Sequence, residues 1–270
     1  MIALRNVCKS FDGGRTRAVD DVSLDVPRGG FLAIVGESGS GKSTVVKTIN
    51  RLVEPDTGTV QIDGRPADAD PAHILRRRIG YVFQGVGLFP HLSVAENIGV
   101  TPRLLGWEPA RIAGRVDELL DLVRLPRAYA SRRPDALSGG QRQRVGIARA
   151  LAAEATIVLL DEAFGALDPI IRADLGQDYR RLHEQLGLTT VMITHDVSEA
   201  VLLADRIAVM KDGRLLANGT PGELAAGDVD PYVRELMDAP RRLAERVAER
   251  LSSRDPGARD PAGLDLVRGV

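Results

Sequence analysis

The sequence predicts an α/β protein built around a parallel sheet, on three observations. A glycine-rich loop at residues 36–44 follows an apolar run at 31–35 and opens a predicted helix at about 42–52. A second apolar run, residues 156–160, ends at two adjacent carboxylates, and after it strand-like and helix-like stretches alternate. Ligands of such sheets bind at the carboxyl ends of the strands. The sequence therefore predicts a binding site at that edge.

Short apolar or alternating runs separated by Gly, Asp and Pro predict the strands of the first part of the chain. They cover residues 2–7, 22–26, 31–35, 59–62 and 79–83. From about 88 to 152 the pattern changes to helices, with 3.6-residue apolar spacing clearest at 109–123 and 141–152. We interpret residues 88–152 as an inserted helical lobe.

The second half returns to the α/β pattern. Strands are predicted at 156–160, 189–194 and 206–210, and helices near 170–186 and 197–204. We place the main domain at residues 1–225 and a helical extension, rich in Arg, Ala and Glu, at 226–253. A stretch rich in Pro and Gly then breaks that helix, and we predict that residues 254–270 are disordered.

Composition limits the classes of partner. The 270 residues contain 36 Lys and Arg against 37 Asp and Glu, so the balance does not favour electrostatic capture of nucleic acid, and we expect no nucleic-acid partner. Cys8 is the single cysteine, which agrees with a reducing compartment. No apolar run approaches the ~20 residues of a membrane-spanning helix, so we expect a soluble chain whose membrane role requires a separate subunit.

The loop at 36–44 has the chemistry of a phosphate-binding site. Its glycines let backbone N–H groups turn inward around an anion, and the helix that follows adds the positive end of its dipole. Lys42 can reach the β- and γ-phosphates, and the Ser43 hydroxyl can ligate Mg²⁺. The alternative is a strand-to-helix turn that binds nothing. The candidate residues are Gly36, Ser38, Gly39, Ser40, Gly41, Lys42, Ser43 and Thr44.

Asp161 and Glu162 end the apolar run at 156–160. Side chains alternate along a strand, so the two carboxylates point differently. One can hold Mg²⁺ or its water while the other addresses an attacking water. Taken alone, such a pair is more commonly a loop start or a helix cap, but the phosphate loop favours the catalytic interpretation.

A third motif begins at Ser138. Ser138 and Gln141 satisfy a helix capping box, which is the structural interpretation. The two glycines between them leave backbone N–H groups bare, which makes a second anion-binding helix start. Two copies facing each other could therefore enclose one nucleotide between the two motifs.

Together, in this order over residues 1–225, these motifs resemble the nucleotide-binding subunits of ABC transporters. The resemblance implies a P-loop NTPase (RecA-like) core with an antiparallel β subdomain and an inserted α-helical subdomain. It implies ATP and Mg²⁺ as cofactors and a second copy of the chain in a head-to-tail dimer with two-fold symmetry. It further implies that Ser138, Gly140 and Gln141 of one copy contact the γ-phosphate held by the other, with Asp168 in a dimer-contacting loop.

The remaining roles also follow from the resemblance. Glu162 would polarise the attacking water, Asp161 would hold Mg²⁺, and Gln84 would contact both the metal and the water. His195 would contact the γ-phosphate as a switch, and Phe11 would stack on adenine. Three alternatives stay open: Phe11 as a core aromatic, Gln84 as an ordinary loop residue, and His195 as a helix cap or surface residue.

Finer similarity concerns the transported solute. Residues 79–98, 102–107 and 161–169 are similar to ATPases of importers for glycine betaine, choline, carnitine or proline betaine. This implies membrane permease subunits, an extracytoplasmic solute-binding protein as indirect partner, and a place at the cytoplasmic face of the cell membrane. An importer for an amino acid, polyamine or sulfonate is the alternative, and a soluble ABC-type ATPase without transport is a weaker one. Residues 85–92 are the candidate contact with the membrane subunit.

Two features differ from that family's pattern. Ala163 stands where family members usually have proline, and since proline would stiffen the turn, we expect a looser loop and a modest effect on rate. Many relatives carry a C-terminal pair of regulatory cystathionine-synthase-type modules. We expect no such pair within these 270 residues, and therefore no ionic-strength sensing by that route.

Overall fold

The computed structural model describes residues 1–252, so the predicted disorder of 254–270 falls outside the described residues. Ten strands and ten α-helices lie within this part of the chain. The strands are β1 (Ile2–Phe11), β2 (Thr16–Val26), β3 (Phe31–Val35), β4 (Thr57–Ile62), β5 (Arg65–Pro66), β6 (Ile79–Val82), β7 (Ile157–Asp161), β8 (Thr189–Ile193), β9 (Arg206–Lys211) and β10 (Arg214–Gly219). The helices are α1 (Lys42–Ile49), α2 (Ala72–Arg78), α3 (Val94–Ile98), α4 (Val100–Leu104), α5 (Pro109–Leu122), α6 (Gly139–Leu151), α7 (Pro169–Leu186), α8 (Val197–Leu203), α9 (Pro221–Ala226) and α10 (Pro231–Ser252).

A six-stranded sheet forms the centre, in the order β10-β9-β3-β8-β7-β6. Its pairings are parallel except for the β9–β10 hairpin. All residues of β3, β7 and β8 are buried, as the apolar runs predicted, because helices or the second sheet cover both faces. The carboxyl ends of these three neighbouring strands meet at one edge, and the loops that follow them carry the candidate site.

A second sheet of four antiparallel strands has the order β2-β1-β4-β5. Helix α1 and strand β3 pack in one apolar cluster with β1 and β2, which includes Leu4, Val22, Ile34 and Val45, all almost fully buried. The helix that follows the phosphate loop is thereby fixed between the two sheets. The predicted fold class, with its parallel core and antiparallel subdomain, is confirmed.

Helices α3–α6 follow β6 and precede β7 in the sequence. Of these, α3, α5 and α6 share a second apolar cluster with α7 and α8 on the other face of the central sheet, and α4 packs on α3 and α5. Helix α6 lies directly on β6, since a Cβ placed on Gly80 would come within 2.5 Å of the Ala150 carbonyl oxygen. No helix within residues 1–252 combines the length and the apolar character that crossing a bilayer requires.

The structure adds four elements that the patterns missed: β5, α2, β10 and α9. Strand β10 is only half-buried and pairs with β9 across a turn in which Asp212 and Gly213 both have positive φ (48° and 79°). That Asp-Gly pair is a hairpin signal in the sequence, but the apolar pattern beside it was too weak to suggest a strand. The predicted helical lobe starts late, because residues 84–93 form a loop and α3 begins at Val94.

Candidate functional site

The loop at 36–44 has the backbone shape that the glycines predicted. Gly36, Gly39 and Gly41 have φ of 146°, 83° and 96°, a region that other residues rarely adopt. A Cβ on Gly36 would lie 2.1 Å from the Met210 carbonyl oxygen, and one on Gly41 2.0 Å from that of Ala18. Gly41 is also the N-cap of α1 and provides no side-chain cap, so backbone N–H groups of the first turn stay available for an anion.

Lys42 lies inside this loop and is only 5% exposed. Its Nζ donates to the carbonyl oxygens of Gly36 (2.8 Å) and Glu37 (2.7 Å) and, at 3.4 Å, to Ser40 Oγ. Burial lowers the pKa of Lys42, against the opposing charges of Glu162 and Asp161. Since the cation has no ion-pair partner within residues 1–252, it is available to an anionic ligand. The loop therefore fits a phosphate group.

The other predicted loop residues differ in their exposure to solvent. Ser38 and Gly39 are exposed at the tip, Ser40 is buried, and Ser43 and Thr44 are half-buried in the first turn of α1. The loop is thus open on one side and closed by core residues on the other.

Asp161 ends β7 next to Ser43. The Asp161 Oδ1 atom lies 3.4 Å from Ser43 Oγ, and Oδ2 accepts a hydrogen bond from the Tyr81 hydroxyl at 2.8 Å. Burial and the charge of Asp161 raise the pKa of Tyr81, so its hydroxyl remains a donor. Hydroxyl and carboxylate oxygens are the donors Mg²⁺ prefers. Within residues 1–252 no three His, Cys, Asp or Glu side chains cluster as a metal site, so a metal here would complete its shell from nucleotide or water.

Glu162 lies in a strained conformation beside Gln84. It has φ of 47°, uncommon for a residue other than glycine, and its N–H donates to the Ile193 carbonyl oxygen at 3.1 Å. Its Oε2 accepts a hydrogen bond from Gln84 Nε2 at 2.8 Å. Backbone strain of this kind concentrates at functional sites. The contact also gives Gln84 a defined partner in the site.

His195 follows β8 at the same edge and is exposed. A Cβ on Gly165 would lie 3.6 Å from His195 Cε1, which places the imidazole against the loop that follows Glu162. The next residue, Asp196, caps α8 through Ser198 and Glu199, so the helix-cap alternative belongs to Asp196 and not to His195.

Ser138, Gly140, Gln141 and Asp168 lie together elsewhere in the chain. Ser138 and Gln141 form the predicted capping box at the start of α6, and Asp168 caps α7. The two helix starts are in contact, since a Cβ on Gly140 would lie 2.8 Å from Ile171 Cγ2. Among residues 1–252 no hydrogen bond or ion pair joins this surface to the loop at 36–44. A single copy therefore does not connect the two motifs.

Phe11 lies at the end of β1 and is 44% exposed, with Lys9 Nζ 5.7 Å from the ring centroid. The core-packing alternative for Phe11 is wrong. The exposed ring is available for stacking, and its contact with adenine stays a prediction.

Sequence reasoning missed two residues that organise this edge. Tyr81 is the donor to Asp161, as described above. Arg172 of α7 donates to the carbonyl oxygens of Gly165 and Leu167, both at 3.0 Å, and lies 3.5 Å from Asp196 Oδ2. It thereby joins the loop after Glu162 to the segment that carries His195. Helical spacing places Arg172 one turn after Asp168, but no local sequence pattern predicts which residues its side chain contacts.

Comparison with known proteins shows the family of this chain. The family model described as ABC transporter matches residues 19–165, more than half of the chain. The choline transport ATP-binding protein OpuBA of Bacillus subtilis is 46% identical over 244 residues, 90% of this chain and 64% of OpuBA. The chain thus spans less than two thirds of the length of that relative. The glycine betaine uptake system ATP-binding protein YehX of Escherichia coli is 46% identical over 237 residues, 88% of this chain and 76% of YehX.

Other matches include a relative from an importer of a different solute and a solved structure of the same fold. The sulfate/thiosulfate import ATP-binding protein CysA of Thermosynechococcus vestitus is 44% identical over 246 residues, 91% of this chain and 72% of CysA. A dimeric ATP-binding cassette, MJ0796, solved in a post-hydrolysis state with ADP and phosphate, superposes with a TM-score of 0.74 at 35% identity. That match covers 82% of this chain and 98% of the cassette. On the family match, the identity and the geometry of the loop, this chain belongs to the ABC transporter ATP-binding family.

Proposed function

We propose that this chain is the ATP-hydrolysing subunit of an ABC importer that takes up quaternary-amine osmoprotectants through separate membrane subunits. The observation that carries the ATPase part is the convergence of Lys42, the Ser43–Asp161 oxygen pair and the Gln84–Glu162 pair at one sheet edge. Phosphoryl transfer needs positioning and charge stabilisation more than covalent chemistry, and these groups supply both.

The loop binds the triphosphate through its backbone N–H groups and Lys42. On binding, the amine exchanges the carbonyl oxygens of Gly36 and Glu37 for phosphate oxygens, which are stronger partners because they are charged. Ser43 and Asp161 would hold Mg²⁺, with Tyr81 fixing the carboxylate by its hydrogen bond to Oδ2. When bound, Mg²⁺ neutralises part of the charge on the phosphates.

Glu162 acts as general base for the attacking water. Its carboxylate is oriented by the amide of Gln84 and by its own backbone hydrogen bond to Ile193. General-base assistance contributes about 10²–10⁴-fold to the rate. Glu162→Gln should therefore abolish most of the turnover while ATP still binds.

The matched control is Glu235→Gln, the same chemical change at an exposed position of α10. We would measure phosphate release and ATP binding for both variants and the wild type. Hydrolysis by Glu162→Gln at the wild-type rate would show that another group is the base.

We propose that the complete site is shared between two copies of the chain. In the surface of Ser138, Gly140, Gln141 and Asp168, the capping box uses the N–H groups of Ser138 and Gln141, but the N–H of Gly140 has no hydrogen-bond partner among residues 1–252. No hydrogen bond or ion pair of those residues joins this surface to the phosphate loop of the same copy. A second copy, arranged head to tail, would bring this surface to the γ-phosphate, with His195 beside it. The dimeric state of the cassette MJ0796 supports this arrangement.

We propose a groove next to Gln84 as the contact with the membrane subunit. It has a volume of about 260 Å³ and is bordered by Leu52, Arg77, Phe83, Phe89 and Arg149. The loop 84–93 forms part of its wall, with Phe89 42% exposed. Arg77 has no ion-pair partner within residues 1–252, so a short apolar helix with a carboxylate would fit. The chain would then lie at the cytoplasmic face of the membrane.

Quaternary amines are the solute class we propose, supported by the choline and glycine betaine systems among the relatives. An importer for another small solute is the alternative, which the sulfate/thiosulfate relative favours. The test is uptake of labelled choline, glycine betaine and sulfate by cells whose only copy is the wild type or Glu162→Gln. We expect loss of choline and glycine betaine uptake in the variant. Loss of sulfate uptake alone would select the alternative.

A further inference from the structure

Helix α10 touches the phosphate loop through its second residue. The hydroxyl of Tyr232 accepts a hydrogen bond from the backbone N–H of Glu37 at 3.3 Å, across 195 residues of sequence. Glu37 lies between Gly36 and the exposed tip of the loop. The described C-terminal helix is therefore connected to the candidate ATP site by a specific polar contact.

The same peptide group is also held by Lys42. The peptide that joins Gly36 to Glu37 carries the Gly36 carbonyl oxygen and the Glu37 N–H, which point in opposite directions in a trans peptide. Lys42 Nζ donates to that oxygen at 2.8 Å, and Tyr232 accepts from that N–H. One peptide unit is thus fixed on its carbonyl side by the phosphate-binding lysine and on its amide side by α10.

Tyr232 is itself firmly placed. Lys211 Nζ lies 4.5 Å from the centroid of the Tyr232 ring. The backbone N–H of Tyr232 donates to Asp230 Oδ1 at 2.8 Å. Its neighbours Val233 and Met237 anchor the first turns of α10 in the core, at 0% and 9% exposure. Burial raises the pKa of Tyr232, so the hydroxyl stays neutral at physiological pH.

A second element supports the loop in the same region. The N–H of Gly213, in the β9–β10 turn, donates to the Ser40 carbonyl oxygen at 3.2 Å, and the Gly213 carbonyl oxygen accepts from Asp20 at 2.8 Å. Lys211, whose amine faces Tyr232, ends β9 just before that turn. The hairpin and α10 therefore support two different peptides of the phosphate loop.

We propose that Tyr232 is a positioning residue for nucleotide binding. Its hydroxyl fixes the peptide between Gly36 and Glu37, and through it the resting position of Lys42, so that the loop is preorganised before phosphate arrives. Preorganisation raises affinity because less ordering is required on binding. This inference rests on the proposed ATP-binding function and adds a residue outside the motifs of the site.

The test separates the hydroxyl from the ring. Tyr232→Phe keeps the packing and the cation over the ring but removes the acceptor. Tyr129→Phe is the matched control, because Tyr129 also has a cationic side chain over its ring, the Arg132 guanidinium at 3.6 Å, and its hydroxyl makes no hydrogen bond among residues 1–252. We would measure the Kd for the ATP analogue AMP-PNP with Mg²⁺, kcat and KM for ATP, the Tm, and the exchange rate of the Glu37 amide proton.

For Tyr232→Phe we expect Kd and KM to rise about two- to tenfold, the effect of one typical hydrogen bond. We expect kcat and Tm to match those of Tyr129→Phe, and faster exchange at Glu37 even without nucleotide. Unchanged Kd and unchanged Glu37 exchange would refute the inference. A fall of both Tm and kcat would also refute the inference, because it would show that Tyr232 acts through packing. If the wild type bound no AMP-PNP, the proposed function itself would fail, and the positioning role with it.

Discussion

At the scale of single residues, the site depends on one buried cation whose charge is met by carbonyl oxygens and not by a carboxylate bond. Lys42 is 5% exposed, and burial lowers its pKa. Holding a lysine in this way is unfavourable unless a ligand uses the charge. The cost of the arrangement is thus itself an indication of function.

Lys42→Ala should weaken ATP binding by about 10- to 100-fold, because a hydrogen bond to a charged group contributes about 1.5–3 kcal/mol. Lys47→Ala, in the last turn of the same helix, is the control. Titration with a fluorescent ATP analogue would measure the effect. Equal affinity of the two variants would mean that Lys42 is a structural residue.

Glu199 provides a pH-dependent prediction. Burial raises its pKa above the ordinary 4.5, and the neighbouring Asp196 acts in the same direction, while Thr194, Arg172 and His195 oppose the shift. A carboxyl group with a raised folded-state pKa binds more protons in the folded than in the unfolded state just above pH 4.5, so stability falls as pH rises through that window.

Glu199→Gln should remove the loss of stability that the raised pKa of Glu199 causes as pH rises. The variant should therefore gain stability relative to the wild type as pH rises from 4.5 towards neutrality, in denaturation curves recorded at several pH values. The control is Glu184→Gln, the same change at an exposed position of α7. A constant difference between Glu199→Gln and wild type at every pH would contradict the prediction.

At the scale of elements, backbone contacts decide how closely helix and strand approach. Helix α6 lies on β6 with Gly80 beneath Ala150, at a separation that leaves no room for a Cβ. Gly114 of α5, in contrast, would meet nothing within 4 Å. A side chain is excluded at Gly80 and has free space at Gly114, a difference that the sequence alone does not show.

Gly80→Ala should lower the free energy of unfolding by about 1–3 kcal/mol, the usual cost of overpacking. Gly114→Ala should raise it by about 0.5–1 kcal/mol, because alanine is the better helix former. Chemical denaturation of both variants would check the pair. Equal effects of the two substitutions would contradict the packing of α6 on β6.

Arg172 joins two loops of the site, as its three contacts with Gly165, Leu167 and Asp196 show. Arg172→Lys keeps the charge near Asp196 but loses the planar guanidinium, whose Nη2 donates to both carbonyl oxygens while its Nη1 faces Asp196. We expect kcat to fall several-fold, since small displacements of reacting groups reduce rates strongly. Nucleotide affinity should be unchanged, because the phosphate loop is untouched. A raised KM with unchanged kcat would argue against this positioning role.

At the scale of the whole molecule, the prediction concerns two copies. Ser138→Asp keeps a good N-cap for α6 but places a negative charge where the γ-phosphate of the partner would lie. Lys42→Ala disables the loop of its own copy. If sites are shared, mixing the two inactive variants forms dimers with one intact site, and phosphate release should partly recover. Activity that stays absent after mixing would contradict the shared site.

The sequence by itself determined the phosphate loop, the buried strands and the two carboxylates at the carboxyl end of β7. These features depend on local chemistry: glycines that allow positive φ, apolar runs that a parallel sheet buries, and short spacings along one strand or turn. The capping box at Ser138 is equally local, and the order of the motifs is read directly along the chain. The roles predicted for Phe11, His195 and the dimer surface stay predictions, and so does the rate effect of Ala163, which is buried.

Only the tertiary structure decided which distant groups meet. The hydrogen bond of Tyr81 to Asp161 spans 80 residues, that of Gln84 to Glu162 spans 78, and that of Glu37 to Tyr232 spans 195. Such contacts depend on strand order and on how helices pack across the sheet, which local patterns do not encode. Strand β9 was predicted from its apolar run, whereas its weakly patterned partner β10 was missed. Strand β10 is stabilised by pairing with β9 at the sheet edge, where the turn between them supports the phosphate loop.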